Sequence, residues 1–211
     1  MSFYKQIKPN VYECESCKTP CDGITVPKFD FEKDVQFSEA IEKEFIQYIH
    51  QNYPDYEASK TTKTGYPDIE VKQKSLQDKP LFFVEIKVQA RTFMSIVHFL
   101  PNANLFPSET LALNLSDLER YFLIQDKEKV PVYIVWCLMH RPCITGDKPK
   151  DRKFFYQELS VLRRIRNSDS QNTRRFRRAS GMGDVVEGKH KGVVVNYHFS
   201  INELKILSGF Y

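Results

Sequence analysis

The sequence predicts a mixed α/β domain in which helices flank a central sheet. Three features carry that expectation: a helical apolar period over residues 37–49, two strand-like segments at residues 68–73 and 81–88, and an almost wholly apolar run at residues 130–139. Helical and strand patterns alternate along the chain, as in a sheet covered by helices. The 211 residues suffice for one such domain with a substantial core.

In the first helix Phe37, Ile41, Phe45, Tyr48 and Ile49 recur at helical spacing, and Glu, Lys and Gln fill most other positions. Ser38 is expected to cap its start, and Asn52-Tyr53-Pro54 to end it, because the residue before a proline avoids helical dihedrals. The turn-like Thr64-Gly65-Tyr66-Pro67 comes next, and the alternating Asp68-Ile69-Glu70-Val71-Lys72-Gln73 reads as a half-buried strand. Residues 81–88 are rich in aromatic and β-branched side chains, and the intervening residues 75–80 have the length of a hairpin connection.

Residues 92–112 show no clear period and read as a loop with a short helix. Residues 115–127 read as a helix capped by Ser116, and residues 130–139 as a buried strand. Residues 154–162 fit strand and helix templates equally. The arginine- and glycine-rich residues 167–191 read as a surface loop, and a strand at 193–197 with a helix at 201–207 closes the chain.

Hydrophobic residues make up 41% and charged residues 27%, which excludes a disordered chain. No apolar stretch approaches the roughly 20 residues that a spanning helix needs. Met1-Ser2-Phe3-Tyr4-Lys5 is not followed by the apolar run of a signal peptide, so a cytoplasmic location is expected and the five cysteines read as thiols or metal ligands. The net charge of +4 is modest, but arginines crowd between residues 163 and 178 and offer a local phosphate-attracting surface.

Alternate side chains of a strand share a face, so Asp68 and Glu70 point one way, and Glu85, Lys87 and Gln89 point together on the next strand. If the strands pair, carboxylates and an ammonium converge on one patch. Like charges buried side by side are costly unless a cation lies between them. Carboxylate oxygens suit Mg2+ or Mn2+, and such an ion polarises a phosphorus centre while Lys87 orients water or offsets negative charge.

At these residues the chain resembles the PD-(D/E)XK nuclease superfamily: Pro67-Asp68 is followed by Glu85-Ile86-Lys87 at the end of an apolar run. The resemblance covers roughly residues 37–139. It implies a restriction endonuclease-like core, in the order αβββαβ, with its three successive strands near Tyr56, Asp68 and Leu81; the chain is divided into a cysteine-containing segment of residues 1–30 and a nuclease domain of residues 31–211. It further implies catalysis by Asp68, Glu85, Lys87, Glu42 and Gln89, with Asp68, Glu85, Glu42 and Ile86 at the metal and Glu39 as the alternative to Glu42. The expected activity is endonucleolytic cleavage of DNA, in a restriction or mobile-element setting and as a homodimer; an RNA endonuclease and a non-catalytic nucleic-acid-binding module are the competing readings.

Cys14, Cys17 and Cys21 form a CxxCxxxC cluster, which reads either as part of a structural zinc site, completed by Cys143 or His140, or as reduced thiols. Arg163, Arg164, Arg166, Arg174, Arg175, Arg177 and Arg178 are candidate phosphate contacts, with Phe176 available to stack on a base. His50, His98 and His198 read as ordinary polar or packing residues. Gly181-Met182-Gly183 lacks the strand and lysine of a phosphate-cradling loop.

Overall fold

The computed structural model describes residues 4–8, 11–14, 31–76, 79–90, 92–93, 96–146, 151–177, 185–186, 189–190 and 195–210. A hairpin of β1 (Tyr4–Lys8) and β2 (Val11–Cys14) comes first. Helix α1 (Phe31–Asn52) then leads into β3 (Tyr56–Lys60), β4 (Ile69–Gln73) and β5 (Phe82–Gln89). Next come α2 (Ile96–Phe99), β6 (Thr110–Asn114), α3 (Leu115–Glu128), β7 (Val132–Met139) and α4 (Pro142–Thr145). The chain continues through β8 (Arg152–Glu158), α5 (Leu159–Ser168) and β9 (Arg175–Arg177) to the short β10 (Val185–Val186) and β11 (Lys189–His190). It ends with β12 (Val195–Ser200), a 3-10 turn (Ile201–Glu203) and β13 (Lys205–Ile206). No described helix is long and apolar enough to cross a membrane.

Six strands form the central sheet in the order β13-β8-β7-β5-β4-β3. The β5–β7 pair is parallel and the other pairs are antiparallel, so the sheet is mixed. The sequence α1, β3, β4, β5, α3, β7 gives the αβββαβ order, with α2 and β6 inserted before α3.

The period of two along β5 sorts its side chains between two cores. Val84 and Ile86 join Ile41, Phe45 and Ile49 of α1, together with Ile69, Val71, Val135 and Cys137. Phe83 joins Leu118, Tyr121 and Ile124 of α3, Leu159 and Leu162 of α5, and Ile134, Trp136 and Leu138 of β7. A three-stranded sheet, β6-β12-β9, closes this second core with Leu111, Leu113, Tyr197 and Phe199. Gln89 ties the two sheets together: its Nε2 donates to the Ala112 carbonyl, and its Oε1 accepts from the Ala112 N–H, both at 3.3 Å. The Trp136 indole N–H reaches the same carbonyl at 3.4 Å.

Several local expectations need correction. Helix α1 begins at Phe31, so Ser38 lies inside it and caps nothing. The polar Glu32-Lys33-Asp34 segment carries no apolar period, which is why the helical signal starts only at Phe37. Asn114, not Ser116, occupies the N-cap position of α3; the Ser116 hydroxyl donates to Asn114 Oδ1 at 3.4 Å. Strand β6 lies where a loop was expected, because mostly buried Thr110–Asn114 shows no clean alternation. Residues 154–162 are both templates in succession, β8 turning into α5 between Glu158 and Leu159. Residues 201–207 form no α-helix; Ser200 and Glu203 make a capping box around one 3-10 turn, and β13 follows. Strand β9 falls within the expected surface loop.

Trp136 is fully buried where the second core meets the small sheet. Trp136→Ala is expected to cost about 3–5 kcal/mol by leaving a cavity, as read from urea unfolding monitored by circular dichroism.

Candidate active site

The site is created by a mismatch in strand length. Antiparallel pairing of β4 with β5 ends at the Ile69–Val84 rung, while β5 runs on beside β7 as far as Gln89. Continuing the register sets Asp68 opposite Glu85, on the face that carries Phe83 and α3. The Phe83 N–H bonds to Pro131 O on the β7 side, so alternation turns the backbone of Val84 and Ile86 toward β4. No β4 residue is left to pair with Ile86, and Asp68 Oδ2 takes its N–H at 2.9 Å. The Ile86 carbonyl opens on the same side, since the N–H and C=O of a strand residue share an edge.

Glu85 is almost fully buried, and Lys87, two residues on and on the same face, is its ion-pair partner. Glu85 Oε2 is buried without a hydrogen-bond partner. From α3, Tyr121 and Asp117 press on this pair. Burial first, and then the Glu85 charge, push the Tyr121 hydroxyl well above its usual range, so it stays protonated. Burial draws the Lys87 ammonium down, but Glu85, Asp117 and Asp68 outweigh it and the net displacement is upward. Arg120 holds Asp117 at 2.9 Å and reaches the Tyr121 hydroxyl at 3.4 Å.

From the opposite face α1 brings Glu42, also buried. Lys60, the last residue of β3, lies 3.0 Å from Glu42 Oε2 and 3.6 Å from Glu39 Oε1. These groups border a cavity of about 360 Å³, which Thr61, Tyr66 and Asp68 also line. Asp68 thus feels charge from both faces. Burial, chiefly, and then Glu85 raise its carboxyl; the Ile86 N–H and Lys87 pull back, Glu42 adds to the rise, and the result is about 7.

Asp68, Glu85, Glu42 and the Ile86 carbonyl are the donors able to hold a hard cation. Among the described residues no three His, Cys, Asp or Glu side chains stand as a ready ligand set, because Glu85 and Glu42 are turned to Lys87 and Lys60. The unpartnered Glu85 oxygen, and an Asp68 carboxyl lifted by burial and then by the Glu85 charge, fit a cation chemically. Glu70 turns to Lys72 at 3.0 Å and takes no part.

Other sequence candidates lie elsewhere. Both ends of the Gln89 amide are engaged by Ala112, so it links sheets instead of facing the carboxylates. Arg163 grips Asp126 at 2.8 and 3.0 Å and the Phe122 carbonyl at 2.7 Å, locking α5 to α3. Arg174 makes a two-pronged contact with Glu203 at 2.7 and 2.8 Å, and Arg166 lies over the Tyr197 ring. Arg164, Arg175 and Arg177 are exposed, whereas Arg178 is outside the described residues. Phe176 packs against Phe99 with ring centroids 4.8 Å apart, which occupies part of the surface expected to stack on a base. Cys143 is half-buried, Cys14 lies in β2, and Cys17 and Cys21 are outside the described residues, as are Gly181, Met182 and Gly183. His50 is a structural acceptor, taking the Ala58 N–H at 3.0 Å.

Lys60, Tyr121 and Asp117 were not foreseen. Lys60 carries no motif, and Tyr121 falls on the apolar stripe of α3, where a tyrosine reads as core.

Among solved structures the chain is similar to Hjc, a Holliday junction resolvase from Archaeoglobus fulgidus, with 10% identity and a TM-score of 0.38 over 81% of this chain and 86% of that one. No family model and no curated protein matches the chain.

The Asp68 carboxyl binds its proton more tightly folded than unfolded, where it titrates near 3.8. Its contribution to stability is therefore fully present below about pH 4 and is lost as pH rises through about 7. Without divalent cations, Asp68→Asn is expected to gain stability over the parent as pH is raised from 5.5 to 8.5, by on the order of a few kcal/mol at the upper end. Urea midpoints across that range check it; a pH-independent difference between the two proteins would contradict the assignment.

Proposed function

We propose that the protein is a metal-dependent endonuclease that hydrolyses phosphodiester bonds, with DNA as the first substrate to test and RNA as the alternative. The observation that carries this reading is the Asp68–Ile86 hydrogen bond, which sets a buried carboxylate opposite Glu85 and Lys87 at the margin of the sheet. A cluster of that composition costs stability in the folded protein unless a cation uses it.

In this reading Asp68, Glu85, Glu42 and the Ile86 carbonyl hold Mg2+ or Mn2+. When bound, the ion supplies Lewis acidity toward a phosphoryl oxygen and toward water. Lys87, kept charged by Glu85, orients the attacking water and offsets the negative charge that develops on the phosphorane oxygens. Tyr121 and Asp117 support Glu85 and Lys87 from α3, so that both enter the reaction already placed. Among the described residues the exposed Arg164, Arg175 and Arg177 are cations able to meet the backbone of a nucleic acid, whereas Arg163 and Arg174 serve the fold.

Labelled DNA and RNA incubated in parallel with Mn2+ or Mg2+ should reveal cleavage that a chelator abolishes. Asp68→Ala and Lys87→Ala are each expected to lower the rate by about 10²-fold or more while far-ultraviolet circular dichroism stays unchanged. Wild-type rates in both folded variants would remove the assignment. The double substitution Arg175→Ala/Arg177→Ala is expected to weaken DNA binding and to reduce the salt slope by roughly one per lost phosphate contact. Arg163→Ala should leave affinity intact and lower the unfolding midpoint, which a thermal melt alongside the filter-binding assay resolves.

A further inference from the structure

We infer that Lys60 is a resident counter-ion of Glu42 that an incoming divalent cation has to displace, so that Lys60 sets the metal affinity of the site. The inference rests on the metal-dependent reading above and concerns a residue with no place in the motif.

Glu42 sits on α1 between Ile41 and the turn that carries Phe45, and its side chain is only 8% exposed. An ionised carboxylate in such surroundings needs an opposite charge close by. Lys60 supplies it at 3.0 Å, yet the lysine itself is 52% exposed. One partner is thus fixed in the protein and the other is free to swing into water. The buried member stays where a ligand to a cation is needed, and the mobile member leaves at little conformational cost.

The cavity beyond them points the same way. Its walls include Glu39, Glu42 and Asp68, and Lys60 is the one lysine or arginine among its described lining residues. Three carboxylates face a single ammonium. Thr61, next in the chain, adds a buried hydroxyl oxygen without a hydrogen-bond partner. An ammonium brings one charge and a divalent ion brings two, so the ion answers this excess better. Both cannot sit against Glu42 Oε2 together, because cations a few ångströms apart repel strongly in a half-buried site. Cation entry and Lys60 departure are therefore one exchange, and each weakens the other.

The test titrates Mn2+ into the full-length protein by isothermal calorimetry, with no substrate present. Lys60→Met is expected to bind Mn2+ about fivefold tighter than wild type, the worth of one partly exposed ion pair that no longer has to be broken. Lys60→Arg, which keeps the charge at that position, should bind like wild type. Lys63→Met removes the same charge from a lysine that lies over the Tyr66 ring instead of against Glu42, and is expected to change affinity less than about twofold. In a Glu42→Gln background the effect of Lys60→Met should vanish, as a direct coupling requires. Unchanged or weaker binding by Lys60→Met, an equal gain from Lys63→Met, or a gain that survives Glu42→Gln would each overturn the inference while leaving the metal site standing. Absence of Mn2+ binding by wild type and every variant would overturn the metal-dependent reading, and this inference with it.

Discussion

The arrangement depends on one hydrogen bond, from the Ile86 N–H to Asp68 Oδ2. A strand that outruns its neighbour leaves backbone groups that must find partners. Here the next side chain of the shorter strand performs that service, and in doing so a carboxylate is held against the sheet at a fixed distance from the longer strand. An asparagine in the same place would meet the backbone requirement with less electrostatic cost. The acid persists beside Glu85 and within reach of the Glu42 charge, at the expense of a carboxyl lifted to about 7. A carboxyl lifted first by burial and then by the neighbouring Glu85 charge is the kind of perturbed group that marks a candidate functional site.

The two lysines express the same constraint on opposite faces of the sheet. Lys87 stands by Glu85 on the α3 side, and Lys60 by Glu42 on the α1 side. They differ in how firmly they are placed. Lys87 is wedged among Glu85, Asp117 and Asp68, three acids that reinforce its charge, whereas more than half of Lys60 is in water. A group that must be charged and in position during a reaction needs the first environment. A group that must yield to a ligand needs the second. On the proposed reading one residue type thus supplies a fixed cation and a removable one.

Much of the core was legible because period and chemistry agreed. The alternation of residues 68–73 and 81–88 placed Glu85 and Lys87 on one face, and the paired strands β4 and β5 carry them there. The stripe of Phe37, Ile41, Phe45 and Ile49 set Glu42 at the edge of the buried face of α1. What escaped the sequence depends on register and on contacts between distant segments. Nothing local distinguishes Gln89, two positions past Lys87 on the same face, from a residue of the site; only the arrival of β6 shows its amide bound to Ala112. The arginine-rich stretch misled for a related reason. A charge run shows how many cations there are, but Asp126 and Glu203, remote in sequence, decide that Arg163 and Arg174 are already taken. Lys60 and Tyr121 were invisible because each is ordinary on its own element and acquires meaning only from the acid opposite.

On the proposed reading the charge distribution constrains how substrate and cation meet. The chain as a whole is positive at +4, yet the cavity beside Asp68 is walled by three carboxylates and one ammonium among its described residues. A polyanion drawn toward exposed arginines such as Arg164, Arg175 and Arg177 would meet repulsion at the carboxylates. On the proposed reading a divalent ion reverses the local sign, so that phosphate approach becomes favourable once the acids are neutralised, and the phosphate in turn gives the cation a further anionic ligand. On that reading binding of each strengthens the other through the same few side chains. Burial and the Glu85 charge lift the Asp68 carboxyl to about 7, so on the proposed reading a cation that takes this oxygen also displaces a proton.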